Sequence, residues 1–318
     1  MARTAELRTF RYDRLIFALG SQLNRPSLPG LAEYALDVDT YAAAARLNAH
    51  LQSLPQQPES PGQYNVVVAG AGLTGIEAAT EMLGKLRATL AAAQMSRPFR
   101  VILIDHKPRI GSDMGDSARP VIEEALQALG IETRTGVYIT AIDSSGVTLG
   151  SGGLIPAATV VWCAGMTANP LARQFGIECD RFGRLPVDEF LRVKGVANVF
   201  AAGDAAWAAI DDAHASVMSC QHSRPMGRFA GHNVVCDLFG QPMLPLRIDW
   251  YVTVLDLGPW GAVYTQGWDR AVASIGEAAK RTKQIINCQR IYPPLSKDRK
   301  AILEAAAPVI QTPPALHH

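Results

Sequence analysis

The run GAGLTG at residues 70–75 constrains this chain more than any other feature. It sets Gly70, Gly72 and Gly75 in a G-x-G-x-x-G pattern after the β-branched run YNVVVAG (64–70). A segment follows with Ile76, Ala79, Leu83, Leu86 and Leu90 at helical spacing. A strand must therefore turn abruptly into a helix. Each glycine has its own task there: Gly70 permits the tight turn, Gly72 lets backbone approach a pyrophosphate, and Gly75 lets helix pack on strand. The helix N-terminus, with Thr74 in its first turn, offers unpaired N–H groups and a positive dipole end to phosphates. A second apolar run, RVILID (100–105), ends in Asp105, whose carboxylate can accept hydrogen bonds from both ribose hydroxyls of NAD and repels a 2′-phosphate. Asp105 stands 35 positions past Gly70, beyond the usual ~20 after the motif, an excess the long first helix accounts for. Lys107 and Arg109 follow it and keep NADP open.

The strand-then-glycine punctuation recurs. Apolar runs stop at Gly20, Gly70, Gly165 and Gly203, so several strand ends are expected to face one ligand crevice, as in open α/β sheets. The residues at 14–19 read as a buried strand, and an alanine-rich helix is expected after Asp204. Pro55 to Gln63 reads as a connection between lobes. A helix fits Ser117 to Leu129, ended by Gly130, and short strands follow it, which predicts a parallel sheet with an antiparallel appendage.

Composition removes whole classes. A chain of 318 residues that is 48% hydrophobic, with a formal net charge of +1, buries a full core and lacks the electrostatic footprint of a nucleic-acid binder. Five cysteines with no C-x-x-C pair form no disulfide framework and suit a reducing compartment, so the chain reads as cytoplasmic. Cys220 and His222 are near neighbours, but no second pair has ligand spacing, so no metal site is expected.

Two acidic residues carry competing readings. Glu77, two residues past the third glycine, is either a carboxylate stabilised by the helix dipole or a group at the nicotinamide end of the crevice. Asp204, in VFAAGDAA, is by itself best read as a helix N-cap. From Arg270 to Glu304 the chain carries eight Lys/Arg against three acids. Ile275, Ala279, Thr282 and Ile286 fall on one face of a possible helix, with Lys280, Arg281 and Lys283 largely on the other. Such a basic amphipathic helix either packs on its own domain with a solvated basic face or lies in a membrane interface, so residues 270–310 are a candidate peripheral contact with the inner face of the cell membrane.

Taken together, these pieces resemble the two-dinucleotide-binding flavoproteins, and within them the type II NADH dehydrogenase-like proteins. YDRLIFALGS (12–21) resembles the segment that closes the flavin domain, and TVVWCAGMTANPLARQFG (159–176) the return crossover to it. GRLPVDEFLRVKGVANVFAAGDAA (183–206) resembles the second flavin motif, whose aspartate holds the ribityl chain, and this displaces the N-cap reading of Asp204. The resemblance implies two Rossmann-like domains, the flavin one discontinuous (1–57 and 158–268) and the NAD(H) one at 58–157, with a C-terminal helical region at 269–318. It further implies FAD held near Gly20, Gly165, Gly203 and Asp204, and NAD(H) on Gly70, Gly72, Thr74, Gly75 and Asp105 with its nicotinamide near Glu77. Hydride would pass to the flavin and electrons to a quinone or other small acceptor. SCQHSRPMG (219–227) resembles the segment beside flavin and quinone, with Gln221 matching its glutamine, Cys220 in place of alanine and Pro225 in place of a second glutamine. A homodimer is in keeping with the family.

One departure stands out. No G-x-G-x-x-G precedes residue 64, so the flavin domain is expected to be incomplete at its N-terminus and to leave an exposed sheet edge. Two other readings stand beside the first: an NAD(H)-binding module without flavin chemistry of its own, and a soluble reductase of an iron–sulfur or disulfide partner.

Overall fold

The computed structural model describes residues 9–316, in two compact units. The first comprises described residues up to 22, with 167–249 and 293–312; the second comprises 23–166, 250–292 and 313–316.

The second unit is built on a parallel sheet in the order Ala35–Leu36, Thr159–Trp162, Asn65–Ala69, Arg100–Asp105, Glu132–Thr135. Its inner strands are near-continuous apolar runs because both faces are covered. Val66, Val68, Val101 and Leu103 face a cluster holding Ile76, Leu83 and Leu86 of the helix Leu73–Ala92 and Ile122 and Leu126 of the helix Gly115–Ala128. Val67, Ala69, Ile102 and Ile104 face the opposite side. There they meet Ile142, Val147 and Ile155 from the antiparallel strands Ile139–Asp143, Gly146–Leu149 and Leu154–Pro156. From Asn65–Ala69 the chain steps outward one way to two strands, then returns to Thr159–Trp162 on the other side. Gly70 stands at the carboxyl end of the central strand, at that reversal, which is where open α/β sheets place their ligand crevice.

A separate antiparallel sheet, Val252–Asp256, Ala262–Gln266 and Ala271–Ile275, leads into the helix Gly276–Ile285. Its Leu255 and Val263, with Leu257, join the same core as Ile76. In the first unit, Leu15–Phe17 pairs in parallel with Val199–Ala201, and Leu185–Pro186 with Ala206–Trp207. The helix Cys220–Leu238 packs on Leu15–Phe17 and Val199–Ala201.

Several expectations need correction. Residues 23–57 belong with the parallel sheet, because Ala35–Leu36 extends its edge and Leu47, Leu51 and Leu54 enter its core. Residues 250–268 follow for the same reason, through Leu255, Leu257 and Val263. Only Phe17 of its strand is buried; Ile16 lies outward. No long helix directly follows Asp204, which sits in the single 3-10 turn Gly203–Ala205 before an extended pair of residues. The region from 269 onward opens with a strand, not a helix, since Ala271–Ile275 completes a sheet. Its helices are Gly276–Ile285, extended by a π turn at Ile286–Arg290, and Arg299–Ala305. Among the described residues, no helix is long and apolar enough to cross a membrane.

Candidate functional site

The glycine turn has the geometry its sequence demands. Gly70 adopts φ 104°, and a Cβ there would lie 2.7 Å from the carbonyl oxygen of Cys163 on the neighbouring strand end. A Cβ on Gly75 would fall 1.7 Å from the Gly70 carbonyl oxygen, so the helix Leu73–Ala92 starts against the turn itself. Gly72 is the helix N-cap without a capping side chain, and Thr74 in the first turn is exposed. Asp105 is 8% exposed, and its two oxygens accept from the backbone: Oδ2 from Ala71 N–H at 2.6 Å, Oδ1 from Lys107 N–H at 2.7 Å. The carboxylate thus fixes the turn as well as ending its strand. At Gly165, with φ 90°, a Cβ would meet no described atom within 4 Å, so its left-handed backbone and not crowding accounts for the glycine.

Glu77 is held from outside its own helix. Its Oε1 accepts from Lys283 Nζ at 2.7 Å and from Asp256 N–H at 3.0 Å, while Lys283 also reaches the carbonyl of Val254 at 2.9 Å. Lys280 in turn binds Asp256 Oδ1 at 2.6 Å and the Gly258 carbonyl at 3.0 Å. Two of the three cations expected on a solvated basic face are therefore engaged by internal partners. Sequence reasoning missed these contacts, because the partners lie up to 206 positions apart.

In the first unit, Asp204 is likewise clamped. Ser21 Oγ donates to its Oδ2 and Ser223 Oγ to its Oδ1, each at 2.7 Å. Neither bond caps a helix, so the N-cap reading of Asp204 is set aside on geometry. Gly20 (φ 68°) places Ser21 on one side, and Gly203 (φ 72°) opens the turn toward Ser223, whose Cβ would lie 3.5 Å from a Cβ at Gly203. Ser21 and Ser223 carry no motif of their own, and only the fold brings them to one carboxylate.

Gln221 stands in the first turn of the helix Cys220–Leu238, its amide nitrogen 3.3 Å from His222 Nε2. His222 is fully buried and accepts from Val217 N–H at 2.8 Å through Nδ1. Burial pushes its pKa down to about 4, so the ring is neutral, and because Nδ1 accepts from Val217 the ring proton is on Nε2. Ser219, the N-cap of this helix, makes no capping bond, and among the described residues its buried Oγ finds no hydrogen-bond partner. Among the described residues, no group of His, Cys, Asp and Glu could hold a metal ion.

Comparison with known proteins places the chain among pyridine nucleotide oxidoreductases. The family model for pyridine nucleotide-disulphide oxidoreductases matches residues 2–227. An NADH dehydrogenase-like protein of Mycobacterium tuberculosis is 59% identical over 306 residues, covering 96% of this chain and 76% of that protein. A demethylphylloquinone reductase of Synechocystis is 29% identical over 255 residues, 79% of this chain and 60% of the relative. The solved structure of NDH2 from Plasmodium falciparum in complex with NADH is similar in fold, with a TM-score of 0.72 at 14% identity, over 93% of this chain and 76% of that one.

Proposed function

The chain belongs to the pyridine nucleotide-disulphide oxidoreductase family, and from that premise we propose that it is an NADH dehydrogenase-like flavoenzyme that passes electrons from NADH to a quinone. The observation that carries the reading is the turn at 70–75, where bare glycines and a buried carboxylate, Asp105, meet at the reversal point of a parallel sheet.

In this reading the pyrophosphate of NADH lies over Gly70, Gly72 and Thr74 at the N-terminus of the helix Leu73–Ala92. Asp105 accepts from the adenosine ribose with the lone pairs that Ala71 and Lys107 leave. Glu77, oriented by Lys283, stands in the helix's first two turns, at the end meant for the nicotinamide.

The first unit offers groups that fit FAD. Asp204, already fixed by two serine hydroxyls, is an acceptor for ribityl hydroxyls. The orphaned Ser219 hydroxyl stands at the N-terminus of the helix beginning at Cys220 and suits an acceptor-rich ring edge; left unmet, a buried hydroxyl costs about 1–3 kcal/mol. FAD, when bound, supplies the hydride-accepting and electron-relaying chemistry that no side chain can. Gln221, its amide against the neutral His222, stands in the first turn of that helix as the candidate residue for the acceptor. The likeness to a demethylphylloquinone reductase supports a quinone in that role.

Two substitutions test the nucleotide half. Gly72→Val is expected to abolish NADH binding, since any side chain at this N-cap fills the path of the pyrophosphate. Asp105→Ala is expected to weaken NADH far more than NADPH; equal losses for both would remove the ribose role. Titration by NADH fluorescence reads both.

A further inference from the structure

The path to Gly72 is already lined by one anion. Among the described residues, the neighbouring atom that comes within 4 Å of a Cβ position at Gly72 is Asp113 Oδ2, at 3.1 Å. The bareness of Gly72 exists, in the reading above, for a pyrophosphate; what stands there is a carboxylate. Asp113 lies in a 3-10 turn, Ser112–Met114, flanked by two left-handed glycines, Gly111 at φ 63° and Gly115 at φ 77°. The turn is anchored on both sides. Ile110 and Met114 are buried, and Gly111 N–H donates to the Ala71 carbonyl of the glycine turn at 3.2 Å. Asp113 itself is half exposed, and its Oδ1 is 3.7 Å from Lys107 Nζ.

We propose that Asp113 is a stand-in anion for the dinucleotide pyrophosphate: its carboxylate rests at the phosphate cradle and is displaced toward Lys107 when the nucleotide binds. The inference rests on the dinucleotide reading of residues 70–75. A carboxylate at a helix N-terminus is favourable for the same reason a phosphate is, and the two cannot share the place, because like charges at contact repel. The bound anion therefore has to outcompete an internal one. Asp113 sets how tightly the chain holds NADH while touching neither the nicotinamide nor the ribose. Lys107 Nζ, already 3.7 Å from Asp113 Oδ1, is the cation toward which the carboxylate turns when the nucleotide enters.

The test uses the full chain, with NADH and ADP-ribose as probes. Asp113→Asn keeps the shape and removes the charge, and is expected to bind both probes roughly three- to tenfold tighter. The gain should be equal for both, since both carry the pyrophosphate. In the absence of nucleotide, Asp113→Asn should lower Tm, and the rise in Tm on adding NADH should grow. Asp113→Glu, which restores the charge, should stay near wild-type affinity. Unchanged or weaker NADH binding in Asp113→Asn, or Asp113→Glu behaving like Asp113→Asn, overturns the proposal while leaving the dinucleotide site in place. A wild-type chain that binds neither NADH nor ADP-ribose overturns both.

Discussion

Gly75 has room only for hydrogen, since a side chain would strike the carbonyl oxygen of Gly70, and Glu77 two residues later is tied by a lysine 206 positions away. These neighbours differ in how far sequence alone discloses them. The glycine's need follows from a local pattern, strand then turn then helix, and could be read in advance. The lysine's role could not, because Lys283 looked like one cation of a solvated helix face. It is 17% exposed and Glu77 32%, so the pair is sheltered enough to matter. Lys283→Met is expected to cost about 1–3 kcal/mol in urea denaturation, because Glu77 is left without its cation. The contrast is Lys300, whose pairing with Glu304 is largely in solvent: Lys300→Met should stay within about 0.5 kcal/mol of wild type. Equal effects of the two substitutions would mean that Lys283 does not hold Glu77.

At the scale of elements, the parallel strands and the helix Leu73–Ala92 were legible because burial on both faces leaves unbroken apolar runs and one buried face leaves a period. The error in the C-terminal region came where strand pairing, and not periodicity, decides the element. Ala271–Ile275 reads as part of a helical tail until Ala262–Gln266 is there to pair with it. Asp204 reads as a cap from its own neighbours alone, and Ser21 and Ser223, which clamp it, carry no local signal of that role. The helix Cys220–Leu238 makes a separate prediction through His222, which is buried and neutral with its pKa lowered from 6.5 to about 4. Between those values the unfolded chain binds a proton that the folded chain does not. Stability from this residue is therefore fully present above pH 6.5 and is lost as pH falls toward 4, by roughly 3 kcal/mol in all. The fall of unfolding free energy with pH across this range should be steeper for wild type than for His222→Asn. Identical slopes would show that the ring is accessible to protons in the folded chain.

For the molecule as a whole, both units present groups suited to one redox chemistry: a glycine turn with a buried acid in one, a clamped aspartate and a helix start with an unmet hydroxyl in the other. The glycine turn is visible in the sequence as a spaced pattern between two periodic segments. The aspartate turn is visible only by likeness to known flavoproteins, since a short acid-bearing turn has no periodicity to announce it. Family membership makes the chain an oxidoreductase, and electron flow from flavin to quinone is the step that a direct measurement must establish. That measurement is anaerobic: the full chain is supplied with FAD, NADH is added, then a short-chain quinone, while visible flavin absorbance is followed. Loss of absorbance with NADH and its recovery with quinone are the predicted results, both absent in Gly72→Val. NADH that binds yet leaves the absorbance unchanged, or bleached flavin that no quinone restores, would contradict this route.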